Sequence, residues 1–345
     1  MPQAFWQALN HAFEQAISLT GSMERTYSLA GYRVRLRFAG PALLPVLTPA
    51  LDHLQTTNAG PPPDLTIALW DSATTGIPFP ARLPPLTEIG RRGELPAYSD
   101  DRFLAAAQTD IRALSLLDRV ENQALYWTAA SAVLPVFERA APLKIILHWW
   151  LRERRLPLIH AGAVGAEAGG VLLVGGTGTG KSTSTLACLS AGLQYISDDR
   201  CLLALEPEPR ALCVYNAAKL RPEQMQRFPH LLPAVRANNL PDEEKHIIFV
   251  HQYAPEQLAT ALPVRALLLA RLAHRPETTW HPVSPARVWR ELSTSSLVYQ
   301  PGMAHAELEL MAELVRRLPC YQLNLGTELG EIPPVIAQVI QAHVQ

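Results

Sequence analysis

The chain has 345 residues, 48% apolar and 18% charged, a composition that supports a buried core and excludes wholesale disorder. At roughly 150 residues per domain, two domains are expected. Lys plus Arg number 30 against 31 Asp plus Glu, a net charge of -1, so no global positive field exists to hold nucleic acid or an anionic membrane.

The opening MPQAFWQALNHAFEQAISLTGS is amphipathic and carries Glu14, unlike the basic and then apolar pattern of a signal peptide. YSLAGYRVRLRFAG reads as two strands around Gly31, with Val34, Leu36 and Phe38 alternating against Arg33, Arg35 and Arg37. A solvated arginine face is favoured there over an anion-binding stripe. Residues 41–57 place leucines at helical spacing, and DLTIALW at 64–70 returns to strand. Residues 72–99 hold Pro78, Pro80, Pro84, Pro85 and Pro96, which remove backbone donors and predict a long, irregular, flexible connection. These features predict an α+β N-terminal domain over 1–118. ENQALYWTAASAVLPVFERA and PLKIILHWWLRERR then predict connecting helices over 119–155, with Trp149 and Trp150 as packing residues.

Over 156–345, LPLIHAGAVGA, GGVLLVGG, LQYISDD and RCLLALE are short apolar runs punctuated by glycine, as expected of strands buried on both faces. VRALLLARL and PCYQLNLG continue the strand pattern, while SPARVWREL, AHAELELMAELVRRL and PPVIAQVIQAHV are helical. No apolar run approaches the about 18 residues needed to cross a bilayer. Cys188, Cys201, Cys213 and Cys320 show no CxxC pairing and read as packed, reduced thiols, so a cytoplasmic protein is expected.

The chemistry is concentrated between His160 and Arg200. Gly175-Gly176-Thr177-Gly178-Thr179-Gly180-Lys181-Ser182 satisfies GxxxxGK[ST] at every specified position, after an apolar strand and before a helical segment. Glycines let backbone N–H groups approach a polyphosphate, and a helix N-terminus adds positive potential. Lys181 then reaches the β- and γ-phosphates, the Ser182 hydroxyl enters a Mg²⁺ shell, and Thr183 supports the α-phosphate. Downstream, LQYISDDR sets Asp198 and Asp199 at a strand end, where open sheets bind ligands. One carboxylate suits a metal, the other the proton of an attacking hydroxyl. His160 lies on the preceding strand, and spacing alone favours a structural role for it.

The stretch IHAGAV, GVLLVGGTGTGKST and AGLQYISDDR, about 40 residues, resembles the core of the bacterial HPr kinase/phosphorylase family. The resemblance implies an α/β fold: a P-loop kinase domain of the type shared with phosphoenolpyruvate carboxykinase, preceded here by the smaller N-terminal domain. It implies ATP and Mg²⁺, with Asp198 as proton acceptor, His160 as its orienting neighbour, Lys181 on the γ-phosphate, and Ser182 with Asp199 on the metal. The region matching the family's metal-binding glutamate reads VYNAAKLRPEQ, with Glu223 in different surroundings, and the family's phosphorolysis segment has no counterpart after Arg265. Members of the family often assemble, which extends to this chain the expectation of a homo-oligomer.

The leading expectation is ATP-dependent transfer of a phosphoryl group to a hydroxyl, a serine of a protein or peptide. The alternatives are a small-molecule kinase, or an ATPase switch without an acceptor. No NKxD motif for guanine occurs. Lys219, Lys245 and the run Asp242-Glu243-Glu244 are further charged residues for phosphate, metal or acceptor. Arg265 and Arg271 read as outward charges, and Ser293 to Ser296 as a cap or turn rather than an acceptor loop.

Overall fold

A computed structural model describes all residues except 58, 82–84, 237–244, 298–300, 303–304 and 344–345. The chain divides into two units, Met1–Trp150 with Gln300–Gly302, and Leu151–Tyr299 with Met303–Gln345. Each is mixed α/β.

The first unit is built on a seven-stranded mixed sheet. Strands Ser22–Leu29 and Tyr32–Ala39 form the expected hairpin, Leu29 opposite Tyr32. Ala30 and Gly31 both take positive φ, 52° and 87°, the backbone that a tight two-residue hairpin turn requires and that glycine adopts most readily. Val34, Leu36 and Phe38 are buried and the intervening arginines partly exposed. Those arginines are engaged locally: Arg35 with Glu24, Arg37 with Glu14 and Glu24, and Arg33 with the carbonyls of Thr57 and Ala59. No anion-binding stripe results. The helix Pro2–Thr20 buries Phe5, Leu9, Ala12, Phe13 and Ala16 in one core with Trp70, Leu114, Leu116, Leu125 and Trp127.

Three expectations are corrected in this unit. Residues 41–57 are not one helix but Leu44–Leu47, the 3-10 turn Asp52–Leu54 and the short strand Gln55–Thr56. Pro41, Pro45 and Pro49 interrupt the amide ladder that leucine spacing suggested. The connecting-helix reading of 119–155 fails at its start, because Gln123–Thr128 is a strand paired parallel to Leu65–Asp71 and antiparallel to Ala113–Asp118. ALYW is buried throughout, and a continuous apolar run does not distinguish helix from two-sided strand. Helix follows only at Val136–Ala140 and Lys144–Arg152. The proline-rich connection is irregular as expected, yet its Ile77, Phe79, Ile89 and Tyr98 pack on the core, Tyr98 stacked on Phe5 at 4.0 Å. Pro84 lies outside the described residues. Trp149 and Trp150 are buried packing residues.

The second unit carries a nine-stranded mixed sheet and a three-stranded antiparallel one. At its centre Gly169–Val174 runs parallel to the long strand Ala261–Leu272, which runs parallel to Cys320–Leu325. Leu172 and Val174 face one core with Val288, Leu292, Met311 and Leu314 of the helices Pro285–Leu297 and His305–Arg317. Val171 and Leu173 face the other, with Ile336, Val339 and Ile340 of the helix Ile332–Gln341. Both faces are covered, so the strand reads as unbroken apolar sequence, each fully buried side chain contributing about 1.5–3 kcal/mol.

Two strand-to-strand switches set up the site. Leu158–His160 gives way to Gly162–Ala166, and Gln194–Ser197 to Arg200–Ala204, each pair joining different parts of the sheet. His160 pairs with Arg200 across the strands, which brings the first switch against Asp198 and Asp199 in the second. All four cysteines are buried and free. Among the described residues no helix is long and apolar enough to cross a membrane.

Candidate functional site

The loop after Gly169–Val174 turns into the helix Lys181–Ser190 through Gly175, Gly178 and Gly180, all at positive φ (149°, 84° and 97°). Gly180 packs so closely that a Cβ there would lie 2.5 Å from Leu325 Cδ1. Lys181 folds back over the loop and donates from Nζ to the carbonyls of Gly175 (2.6 Å) and Gly176 (2.9 Å). Thr179 Oγ1 donates to Gly176 O, and Ser184 Oγ to Gly180 O, each at 3.0 Å. Burial pulls the Lys181 ammonium down to about 8, against the pull of Asp199 and Asp198, with Lys219 and Lys245 pushing the same way as burial.

Facing this loop is a buried polar wall. Asp198 is 2% exposed; its Oδ2 accepts the Lys219 backbone N–H at 3.0 Å. Burial raises its carboxyl and the Asp199 charge raises it further, opposed by Lys219 and a hydrogen bond with the Ser182 hydroxyl. Asp199 has the opposite balance. Burial would raise it, but Lys219, His160 and Arg200 together hold it well below the ordinary carboxylate range. Lys219 Nζ donates to its Oδ2 at 2.7 Å, and His160 Nε2 lies 2.9 Å from Oδ1. Burial lowers the His160 imidazole, opposed by its hydrogen bond with Asp199 and the charge of that carboxylate. Two adjacent carboxylates driven apart in this way are the pattern that divides acid-base roles.

The residues surround a cavity of about 310 Å³, within the size range of small-molecule sites. Thr177, Gly178, Gly180, Lys181, Ser182, Thr183, Asp198, Asp199 and His160 all line it, whereas Gly175, Gly176 and Thr179 shape the loop behind it. Among the described residues, Lys219, Arg221, Arg227 and Lys245 join Lys181 in the lining with the two aspartates as its acidic members, a cationic surplus that fits a polyphosphate. Leu272, Leu325, Leu329 and Ile332 supply an apolar wall.

Two sequence expectations are rearranged. His160 neighbours Asp199 rather than Asp198. Asp199, expected on the metal, has both oxygens engaged by Lys219 and His160. Glu223 is exposed and does not line the cavity; its neighbour Gln224 does, accepting from Thr183 Oγ1 at 3.1 Å. Among the described residues no group of three His, Cys, Asp or Glu side chains could hold a metal. Asp242, Glu243 and Glu244 lie outside the described residues. Arg265 and Arg271 pair with Glu208 and Glu291. The STSS run is the end of the helix Pro285–Leu297, where Ser296 Oγ accepts the His160 backbone N–H at 3.0 Å. That positioning contact was not anticipated. Lys219 carried a faint signal, a single charge in the otherwise apolar strand Ala217–Leu220.

No protein-family model and no curated protein matches the chain. Among solved structures, the Hpr(Ser) kinase/phosphatase from Coxiella burnetii is similar over 54% of this chain and 95% of that one, at 14% identity and a TM-score of 0.29. This is a distant likeness, silent on residue roles.

Proposed function

We propose that the second unit is a P-loop kinase domain that transfers the γ-phosphoryl group of ATP to a hydroxyl, a serine of a protein or peptide, with Asp198 as proton acceptor. The observation that carries the reading is the buried Asp198 carboxylate, raised in pKa and lining the same cavity as the glycine loop and Lys181. In this reading the triphosphate lies along residues 175–183 with Lys181 on its terminal group. The bond from the γ-phosphorus to the ADP oxygen breaks, one from it to the acceptor oxygen forms, and the hydroxyl proton passes to Asp198. Such chemistry asks the protein for positioning and charge neutralisation above all. His160 and Lys219 hold Asp199 in place, so that Asp198 next to it has a defined orientation.

The residues fit one magnesium ion better than two. Among the described residues, Ser182 is the side chain available to a metal shell completed by phosphate oxygens and water, and bound there the ion would neutralise charge on the β- and γ-phosphates. Incubation with γ-labelled ATP, Mg²⁺ and a cytosolic extract split into peptide and metabolite fractions tests the proposal. Label in the peptide fraction is the expected outcome. Label among metabolites would make the protein a small-molecule kinase, and phosphate release alone would make it an ATPase switch.

A further inference from the structure

The acidic wall already contains a cation. Lys219 enters from the strand Ala217–Leu220, which is held by Ile247 and Ile248 of the neighbouring strand. Its backbone N–H is on Asp198 and its ammonium on Asp199, the latter at 2.7 Å, and the side chain is only 11% exposed. The remaining Asp199 oxygen is taken by His160 at 2.9 Å, and Arg200 Nε stands 3.9 Å from Oδ2. Asp199 therefore presents no oxygen free of a donor, and Glu223 is on the surface.

A divalent ion at this wall would need hard oxygen ligands without a competing ammonium among them. The Lys219 charge occupies that place permanently, its desolvation met during folding by the carboxylate beside it. Building on the phosphotransfer reading, we propose that Lys219 is the second cation of this site. It removes the aspartate pair from metal binding, leaves a single divalent ion to travel with the triphosphate, and supplies fixed positive charge beside the transferring group. Lys219 is thus a positioning residue for Asp199 and a substitute for a metal that would depend on free concentration.

Binding of Mn²⁺ to the full chain, followed by electron paramagnetic resonance with and without a non-hydrolysable ATP analogue, tests this. Wild type and Lys219→Arg should leave Mn²⁺ free without nucleotide and take one ion per chain with the analogue. Lys219→Met and Lys219→Gln should each bind one ion without nucleotide and two with it, the extra ion vanishing when Asp199→Asn is added. The glutamine variant keeps a hydrogen-bond donor to Asp199, and the wild-type stoichiometry needs no variant at all. Two ions on the wild type, or folded Lys219→Met and Lys219→Gln that gain none, would overturn the proposal. A wild type that ignores the analogue while Lys219→Met gains Mn²⁺ would instead refute the phosphotransfer reading and support the exclusion of metal by Lys219.

Discussion

Asp198 and Asp199 are neighbours in the chain and opposites in their surroundings. Asp198 is buried with a backbone N–H and a hydroxyl for company and is raised in pKa, whereas Asp199 sits between an ammonium and an imidazole and is held low. One is thereby prepared to take a proton and the other to remain charged. Lys219 touches both, so a single strand position sets the balance between them.

The loop lysine is the first test. Replacing the Lys181 ammonium with Lys181→Ala should lower nucleotide-dependent turnover by about 10²–10³-fold, the usual loss for one preorganised donor to developing charge. Because its pKa is drawn down to about 8, affinity for a phosphate anion should weaken as pH rises through that value and the ammonium loses its proton. Calorimetric titration with ATP across that range checks both; a flat profile would mean Lys181 does not meet the phosphates.

Removing the proposed base should separate nucleotide binding from chemistry. Asp198→Asn is expected to keep ATP affinity within a few-fold while transfer drops by about 10²–10⁴-fold, the range for loss of a general base. Transfer at near wild-type rate would move the proton acceptor elsewhere.

The two aspartates should also differ in what they do to stability. Asp199 has a depressed folded pKa, so its stabilisation is complete above the unfolded value of about 3.9 and disappears as pH falls through the lower folded value. Asp198 has a raised folded pKa, so the protein is unpenalised below the unfolded value and loses stability as pH rises through the folded one. At neutral pH, Asp199→Ala, which strands Lys219, should cost on the order of 3 kcal/mol, whereas Asp198→Asn should leave stability unchanged or improved. Urea denaturation of both variants decides it, and equal losses would contradict the opposed environments.

Gly180 offers a purely steric test. With φ at 97° and Leu325 Cδ1 2.5 Å from where a Cβ would sit, Gly180→Ala should destabilise the protein by about 1–3 kcal/mol through backbone strain and overpacking. It should also weaken nucleotide binding, since a residue with a Cβ is strained at this φ and the loop relaxes away from it. An unchanged denaturation midpoint would show that the loop is not held against Leu325.

Much of the second unit was legible because local signals and tertiary demands coincide there. A strand buried on both faces must be apolar at every position, as Gly169–Val174 is, and a tight loop into a helix must carry glycines, so both leave plain traces. The first unit was less readable where two structures share one composition. Gln123–Thr128 has the apolarity of a helix core and of a central strand alike, and only its partners, Leu65–Asp71 and Ala113–Asp118, decide between them.

For the site, local sequence was enough to single out as candidates the glycine loop, Lys181, Ser182 and the paired aspartates, which the fold brings to one cavity, since these are contiguous groups whose chemistry is suggested by residue type and spacing. Which aspartate His160 and Lys219 engage came from folding alone. Lys219 lies 20 positions beyond Asp199, and Ser296 lies 136 beyond His160. Electrostatic environment is a property of distance in space, and distances between separate strands and helices are set by packing, which no single position of the chain specifies.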